Sequence, residues 1–339
     1  MASLLVLPAL AFVVAWWITR RARSPDSWLH VLDRPNSRSL HSSPIPRSGG
    51  LGVVAGSSFA FLAVARDDID PIWLGPGVGA ALLVITGLLD DRRGLGVSTR
   101  MAVHVLCALL AVWAGLRLSP LSLPGATLPL SAYLAVPLTM LFVIWFINLY
   151  NFMDGMDGFA GGMALFGFGG LALLGLWTQH PGYAAFNAAI AAAAAGFLIH
   201  NFPPARIFLG DAGAPFLGYL AAVSILWGLR LGIFALWVPL LIFSPFLVDA
   251  TVTLIRRLWR GERIWEAHCS HYYQRLVRLG WSHRRTVLAA YALMLALLVS
   301  AIWGAQSNVV LQWTLLIAWA MAYFAIALTI HHKEQTRAN

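Results

Sequence analysis

Charged side chains are scarce in this sequence. Only 11% of its 339 residues are charged and 59% are hydrophobic, whereas soluble globular proteins are charged at roughly a quarter of their positions. This composition excludes an ordinary soluble protein and indicates an integral membrane protein. Lysine is nearly absent, and 22 of the 23 basic residues are arginine.

Cysteine is rare as well, with two residues in the whole chain. Cys107 lies in an apolar run and Cys269 in a polar segment, so the pair is poorly placed for a structural disulfide. The chain therefore makes no demand for an oxidising compartment. The first apolar stretch, 2–18, has its basic cluster after it and no obvious small-residue cleavage site. We expect a retained membrane anchor rather than a signal peptide.

Polar segments long enough for a soluble domain are also missing, because the longest polar stretches between the apolar runs are 19–49 and 256–286. These runs are of a length and composition typical of membrane-spanning helices. We predict eleven spans, at 2–18, 50–65, 72–89, 101–118, 133–147, 159–177, 184–199, 214–229, 231–255, 287–303 and 309–330. The prediction is an all-α, polytopic membrane protein of about ten or eleven helices that forms a single domain over residues 1–339.

The distribution of arginine predicts the orientation, because basic residues concentrate in cytoplasmic loops. With the amino terminus outside, 20 of the 23 basic residues fall on the cytoplasmic side. The cytoplasmic segments are then 19–49, 90–100, 148–158, 200–213, 256–286 and the carboxyl-terminal tail.

Acidic residues and histidines gather at the same predicted boundary. They are Asp90 and Asp91 in "GLLDDRRG", Asp154 and Asp157 in "NLYNFMDGMDGFAG", Asp211 in "FLGDAG", and His268 and His271 in "EAHCSHYYQRL". Asp249 alone is predicted well inside the ninth span. Carboxylates brought close together repel one another unless a cation shares the site. Oxygen ligands of this kind favour Mg²⁺ or Mn²⁺.

Arginines accompany these acids in sequence, and guanidinium groups match phosphate oxygens. The residues are Arg92, Arg93, Arg206, Arg263 and Arg275. Together with the acids they favour a phosphorylated substrate, a diphosphate above all. Asp154 and Asp157 are three residues apart and are expected to share one helical face.

Each motif also has an ordinary structural explanation. Acids can simply end a helix, Gly-Asp sequences form turns, and the arginine-rich segment 256–286 can bind anionic lipid. "HCSH" lacks the second ligand pair that a zinc site needs. The remaining histidines are expected to pack or to lie at the interface, namely His30, His41, His104, His180, His283, His331 and His332. All four motifs are nevertheless predicted on one side of the membrane, and this coincidence favours a functional site.

These motifs resemble a known family, the polyprenyl-phosphate N-acetylhexosamine-1-phosphate transferases. "NLYNFMDGMDGFAG" is similar to their N-x-x-N-x-x-D-G-x-D-G-L-A signature, and the aspartate pair, "FLGDAG" and the paired histidines follow in the family's order. "PRSGG" at 46–50 also matches, so the resemblance covers nearly the whole chain. The histidine segment looks most like the branch that initiates bacterial O-antigen synthesis.

The resemblance implies a role for each matching position. Asp211 would be the principal Mg²⁺ ligand, with Asp90 and Asp91 beside the metal and the lipid phosphate and Asp91 as a second ligand. Asn151, Asp154 and Asp157 would bind the nucleotide and order the site, and Asn201 and Phe208 would contact the nucleoside. His268 and His271 would bind the diphosphate or the sugar. Cys269 departs from the family, because many O-antigen relatives have arginine there.

The implied reaction transfers a sugar 1-phosphate from a UDP-N-acetylhexosamine, or from its 6-deoxy form, to undecaprenyl phosphate and releases UMP. It would take place at the bacterial inner membrane, as the first membrane step of O-antigen or other envelope polysaccharide synthesis, without nucleic acid. Direct attack by the lipid phosphate is favoured, and an aspartyl-phosphate intermediate is the alternative. Relatives suggest a homodimer, which nothing in this sequence requires.

Three other interpretations compete with this one. A secondary transporter would use Asp249 as an intramembrane acid, but such proteins usually show repeated halves, and the sequence has no internal repeat. A structural membrane protein would leave the paired acids unexplained. CDP-alcohol phosphotransferases also bind metal through Asp and Gly, but "DGMDGFAGG" lacks their compact D-G-x-x-A-R pattern.

Overall fold

The computed structural model describes residues 2–33, 35, 44–65, 73–118, 120–263 and 268–338. Its helices are α1 (Ala2–Arg23), α2 (Gly50–Ala65), α3 (Leu74–Arg93), α4 (Val97–Trp113), α5 (Ala132–Met153), α6 (Phe159–Trp177), α7 (Pro181–Asn201), α8 (Ala214–Arg230), α9 (Trp237–Ile242), α10 (Ser244–Trp259), α11 (Tyr272–Arg278), α12 (His283–Ala305) and α13 (Val309–Ala338). The predicted all-α class is confirmed.

Two small antiparallel hairpins complete the described secondary structure. Strand β1 (Leu32–Asp33) pairs with β2 (Ile45–Pro46), with Leu32 opposite Pro46. Strand β3 (Leu121–Leu123) pairs with β4 (Ala126–Leu128). The first hairpin matters for function because it leads directly into the "PRSGG" segment.

Seven of the helices are long and apolar enough to cross a membrane, namely α1, α3, α5, α6, α7, α12 and α13. Three more, α2, α4 and α8, are apolar but shorter. Ten of the eleven predicted spans thus correspond to apolar helices, which confirms a multi-pass membrane protein. The cytoplasmic orientation stays a prediction.

The ninth predicted span, 231–255, is wrong as a single helix. Residues 231–234 form turns, with Gly232 at φ 71°, and the apolar sequence that follows is divided between α9 and α10. Pro245 lies at the start of α10. A proline there cannot donate the backbone hydrogen bond that would continue a preceding helix, so it favours a new helix start.

Small side chains set the packing of the helices. Helices α1, α2, α6 and α7 pack closely together, while α5 packs on α8 and α3 on α4. Helix α7 contains the run "AAIAAAAAG", and alanine and glycine let membrane helices approach closely. This packing brings the ends of α3, α5 and α7 to one side of the molecule, where the predicted site residues lie.

Candidate functional site

A polar cavity of about 240 Å³ lies where these helices end. It is lined by Asp33, Arg47, Asp91, Asn151, Asp154, Gly155, Met156, Asp157, Asn201, Phe208, Gly210, Asp211, Gln274 and His283. Seven of the residues predicted for the site are in this group. The structure therefore brings together residues from three motifs that are spread over more than a hundred positions of the sequence.

Backbone hydrogen bonds join the "PRSGG" segment to the "FLGDAG" segment. The Phe208 N–H donates to the Pro46 carbonyl at 2.7 Å, and the Gly49 N–H donates to the Phe208 carbonyl at 2.9 Å. The Gly50 N–H donates to the Leu209 carbonyl at 2.8 Å. A side chain at Gly50 would collide with the backbone of Leu209, so glycine is required for this close approach. These contacts build one wall of the cavity.

Asp91 lies in the last turn of α3 and faces this wall. Its Oδ1 atom is 3.2 Å from Arg47 Nε, and the Arg47 guanidinium also donates to the Asp91 carbonyl. The backbone N–H groups of Asp211 and Ala212 each donate to the Asp91 carboxylate at 3.3 Å. Asp91 thus links α3 to the loop that carries Asp211.

Asp154 and Asp157 do not share a helical face, and this prediction is wrong. Helix α5 ends at Met153 and α6 begins at Phe159, so both acids lie in the short loop between them. Gly158 has a φ of 73°, which a side chain would make unfavourable, and it interrupts the helix. The loop nevertheless turns both carboxylates toward the cavity.

Asp157 is held by two partners from other parts of the chain. Its Oδ2 atom accepts a hydrogen bond from the Ala205 N–H at 3.0 Å, and its Oδ1 atom is 3.1 Å from His283 Nδ1. Burial would raise the pKa of Asp157, but the hydrogen bonds from His283 and Ala205 outweigh it and lower the pKa. Asp157 is therefore held as a carboxylate.

Asn201, at the end of α7, orders the same loops. Its Oδ1 atom accepts a hydrogen bond from the Gly158 N–H at 2.9 Å, and its Nδ2 group donates to the Ile207 carbonyl at 2.8 Å. Asn201 is 5% exposed, so its amide mainly connects the α5–α6 loop to the α7–α8 loop.

The cavity concentrates negative charge. Burial raises the pKa of Asp154, and the nearby charge of Asp211 raises it further. The pKa of Asp211 is likewise raised by burial and by the charge of Asp90. A bound cation would relieve this repulsion, so the donor set fits a hard divalent ion.

The same carboxylates do not form a ready-made ligand cage. Within the described parts of the chain, no three Asp, Glu, His or Cys side chains converge closely enough to hold a metal ion by themselves. This arrangement suits Mg²⁺, which typically binds one or two carboxylates and completes its shell with water and substrate phosphates.

A second, mostly apolar cavity of about 350 Å³ adjoins the first and is called the apolar groove below. It is lined by Leu83, Thr86, Gly87, Asp90, Val97, Arg100, Met101, His104, Ile144, Trp145, Asn148, Asn151, Phe152, Asp211, Pro215 and Leu254. Asn151 and Asp211 line both cavities. The two spaces therefore meet at these two side chains.

Asp90 and Asp91 face different cavities. Asp90 lines the apolar groove, where its Oδ2 atom lies 3.1 Å from Arg100 Nη1 and its Oδ1 atom accepts from the Leu95 N–H at 2.6 Å. Asp91 lines the polar cavity instead. Two adjacent acids of one motif are thus positioned for different tasks.

The two predicted histidines lie beside the cavities. Neither is among the described lining residues, and His271 is only 2% exposed. Burial and the neighbouring His271 lower the pKa of His268 to about 4, so His268 is neutral at physiological pH. Gln274, rather than a histidine, brings α11 to the polar cavity. A contact between these histidines and a substrate stays a prediction.

Asp249 anchors the histidine segment, which we define as residues 268–278. The Asp249 carboxylate accepts hydrogen bonds from the N–H groups of Tyr272 at 2.8 Å and Tyr273 at 3.1 Å. Its Oδ1 atom also lies 3.3 Å from His271 Nδ1. The carboxylate is therefore engaged at the start of α11, where two backbone N–H groups and the His271 ring meet it.

None of the five arginines predicted to meet phosphate is among the described lining residues of the polar cavity. Arg92, Arg93, Arg206 and Arg263 are exposed. Arg275 is paired with Glu334 of α13, with nitrogen–oxygen distances of 2.7 and 2.5 Å.

The cavity contains Arg47 and His283 instead. Neither residue is among the site residues predicted from the sequence, although Arg47 is part of "PRSGG" and its position before the glycine pair is a usable signal. His283 was assigned to packing or the interface. Its contact with Asp157 corrects that assignment.

Comparison with known proteins finds relatives over most of the chain. Residues 73–229 match the family model described as glycosyl transferase family 4. A probable undecaprenyl-phosphate N-acetylglucosaminyl 1-phosphate transferase of Bacillus subtilis strain 168 is 31% identical over 80% of this chain and 76% of its own length.

Two further relatives cover similar lengths. A decaprenyl-phosphate N-acetylglucosaminephosphotransferase of Mycobacterium tuberculosis is 32% identical over 83% of this chain and 77% of its own length. A phospho-N-acetylmuramoyl-pentapeptide-transferase of a Synechococcus species is 29% identical over 87% and 86%, respectively. From these matches and the shared motifs, we conclude that the chain belongs to glycosyl transferase family 4, among the polyprenyl-phosphate N-acetylhexosamine-1-phosphate transferases.

Proposed function

We propose that this protein transfers N-acetylhexosamine 1-phosphate from a UDP-sugar to undecaprenyl phosphate, giving a lipid-linked sugar diphosphate and UMP. The proposed location is the bacterial inner membrane, at the first membrane step of an envelope polysaccharide such as O-antigen. The names of the Bacillus and Mycobacterium relatives make UDP-N-acetylglucosamine the first donor to test.

One observation carries the proposal, namely that a polar cavity and an apolar groove meet at Asn151 and Asp211. The reaction needs one site for a water-soluble nucleotide and another for an isoprenoid that stays in the bilayer. The two phosphates must then come together at one point. A junction lined by an amide and a carboxylate between two such spaces meets this requirement.

The polar cavity suits the nucleotide. Asp157 is held as a carboxylate by Ala205 and His283, and such a group accepts hydrogen bonds from a base or a ribose. The Phe208 ring lines the same cavity and offers a surface for stacking. Asn201 connects the two loops that carry these residues, through hydrogen bonds with Gly158 and Ile207.

The apolar groove suits the lipid acceptor. Its walls are mainly aliphatic and aromatic side chains, and Asp90 and Arg100 are charged groups among them. Arg100 would attract the acceptor phosphate, and Asp90 would accept a residual proton from it. Because the second pKa of a phosphate monoester is near 6, most of the acceptor is dianionic at neutral pH and needs no strong base.

We therefore favour a single displacement. An oxygen of the lipid phosphate attacks the β-phosphorus of the UDP-sugar, the bond from that phosphorus to the bridging oxygen breaks, and UMP leaves with both electrons of that bond. Asp211 and Asp91 would hold Mg²⁺, which when bound would neutralise charge that spreads over the phosphates. Asn151 would orient the reacting groups at the junction.

The transporter alternative loses the feature that suggested it. Transport would use Asp249 as an intramembrane acid, but its carboxylate is engaged by two backbone N–H groups and by the His271 ring in the histidine segment. No other feature of the described residues favours transport over transfer.

The test uses purified protein, undecaprenyl phosphate, Mg²⁺ and a panel of UDP-N-acetylhexosamines, with nucleotide release as the readout. We expect UMP to appear only when both the lipid and the metal are present. Release of UDP would contradict the proposal, because it would mean ordinary glycosyl transfer. If no donor yields a nucleotide, uptake of the labelled donors into vesicles would test transport.

A further inference from the structure

The polar cavity has an unusual balance of charge. Its described lining includes five carboxylic acids, Asp33, Asp91, Asp154, Asp157 and Asp211, and one arginine, Arg47. The proposed donor would add a diphosphate to a space that already concentrates negative charge. Arg47 is therefore the side chain in this lining with a permanent positive charge available to the incoming phosphates.

The Arg47 side chain is positioned by Asp91 without being fully covered by it. Arg47 Nε lies 3.2 Å from Asp91 Oδ1, and one of its Nη2 hydrogens is donated to the Asp91 carbonyl. A guanidinium has five N–H donors in a planar fork. The hydrogen bond to Asp91 uses one of them, because Nε faces the Asp91 carboxylate as an ion pair without a hydrogen bond. The side chain stays 28% exposed in the cavity wall, whereas that of Asp91 is 4% exposed.

The backbone of Arg47 is held from both sides. Its N–H donates to the Val31 carbonyl at 2.8 Å, next to the β1–β2 hairpin. On the other side, Gly210 has a φ of 75° and packs so closely on the Arg47 carbonyl that a side chain there would collide with it. This support fixes Arg47 next to Asp211, which follows Gly210 in the chain.

We propose that Arg47 binds the diphosphate of the nucleotide-sugar and that Asp91 orients its guanidinium for this contact. The inference rests on the proposed function and deepens it by naming a phosphate-binding residue of the same site. It also accounts for a discrepancy, because the arginines expected from the sequence to meet phosphate lie outside the cavity lining. Arg47, which precedes all five of those arginines in the sequence, takes that role.

The experiment compares UDP with uridine, which lacks the phosphates. Binding of each is measured by calorimetry to the purified full-length protein in detergent, with and without Mg²⁺. The variants are Arg47→Ala and Arg47→Lys, and Arg21→Lys is the matched control because Arg21 is exposed on α1. Thermal unfolding identifies any variant that fails to fold, and Arg47→Lys keeps the test available if Arg47→Ala is unstable.

We expect Arg47→Ala to weaken UDP binding about tenfold or more and to change uridine binding less than about twofold, consistent with a charge-assisted contact. Arg47→Lys should give an intermediate loss, because lysine keeps the charge but not the planar fork. The Arg21→Lys control should bind both ligands as the wild type does.

Two results would overturn the proposed role of Arg47 and leave the proposed function intact. Unchanged UDP binding in folded Arg47 variants would exclude the contact, and equal losses for UDP and uridine would show that Arg47 only supports the cavity. If the wild-type protein binds neither UDP nor uridine, the proposed function itself fails and the role of Arg47 fails with it.

Discussion

The polar cavity and the histidine segment lie next to each other but are held in different ways. The cavity wall is built by backbone hydrogen bonds, such as those that join Pro46 and Gly49 to Phe208. The histidine segment is attached through side chains. Asp249 holds its amino-terminal end, and Glu334 holds Arg275 near its other end.

The difference indicates how each region should respond to mutation. The wall made by main-chain contacts keeps its shape when the Asp211 side chain changes, so a substitution there acts on binding or chemistry. A segment held by a few acidic side chains moves when one of them is neutralised, because a hydrogen bond to a charged group contributes about 1.5–3 kcal/mol. Three substitutions test this contrast.

The largest effect is expected from Asp211→Asn in the cavity. Loss of this carboxylate at the junction should reduce UMP release at least about 1,000-fold by weakening Mg²⁺ binding, a magnitude like that for loss of a key transition-state contact. Thermal unfolding should change little. Asp26→Asn is the control, because Asp26 is an exposed acid outside the site. Near-normal turnover by Asp211→Asn would refute the proposed role of Asp211.

A smaller effect is expected from Asp249→Asn in the support of the histidine segment. The amide cannot accept all the hydrogen bonds that the carboxylate receives, so the start of α11 should loosen. We expect a stability loss of about 1.5–3 kcal/mol and a fall in activity of roughly 10- to 100-fold. Denaturation and UMP release measure the two effects. An activity loss with no change in stability would instead indicate a direct chemical role for Asp249.

The smallest effect is expected from Glu334→Gln on α13. Its partner Arg275 also lies over the Tyr272 ring, 4.6 Å from the ring centre, and so keeps some support. We expect a two- to fivefold loss of activity, in the range of partly exposed ion pairs. A double-mutant cycle with Arg275→Gln should show that the two losses are not additive. Fully additive losses would mean that the pair does not position the segment.

Much of the site could be predicted because its motifs are local. "NLYNFMDGMDGFAG" and "FLGDAG" each contribute residues to the same cavity, as expected from their position at span ends. The ninth span was wrong because hydropathy does not register the turn at Gly232 or the helix start at Pro245. The predicted shared helical face of Asp154 and Asp157 was wrong for a similar reason, since α5 ends at Met153, before either acid, and α6 begins only after Gly158.

The sequence by itself determined the membrane class and the family, and it predicted three of the motifs that contribute to the polar cavity, because hydrophobicity and motifs depend on neighbouring residues. Only the tertiary structure decided that Asp90 faces the apolar groove and Asp91 the polar cavity. It also decided that Arg47 is the arginine of the cavity and that Asp249 supports α11. These choices depend on contacts between side chains that are far apart in the chain, and the packing of the helices sets which of them can touch.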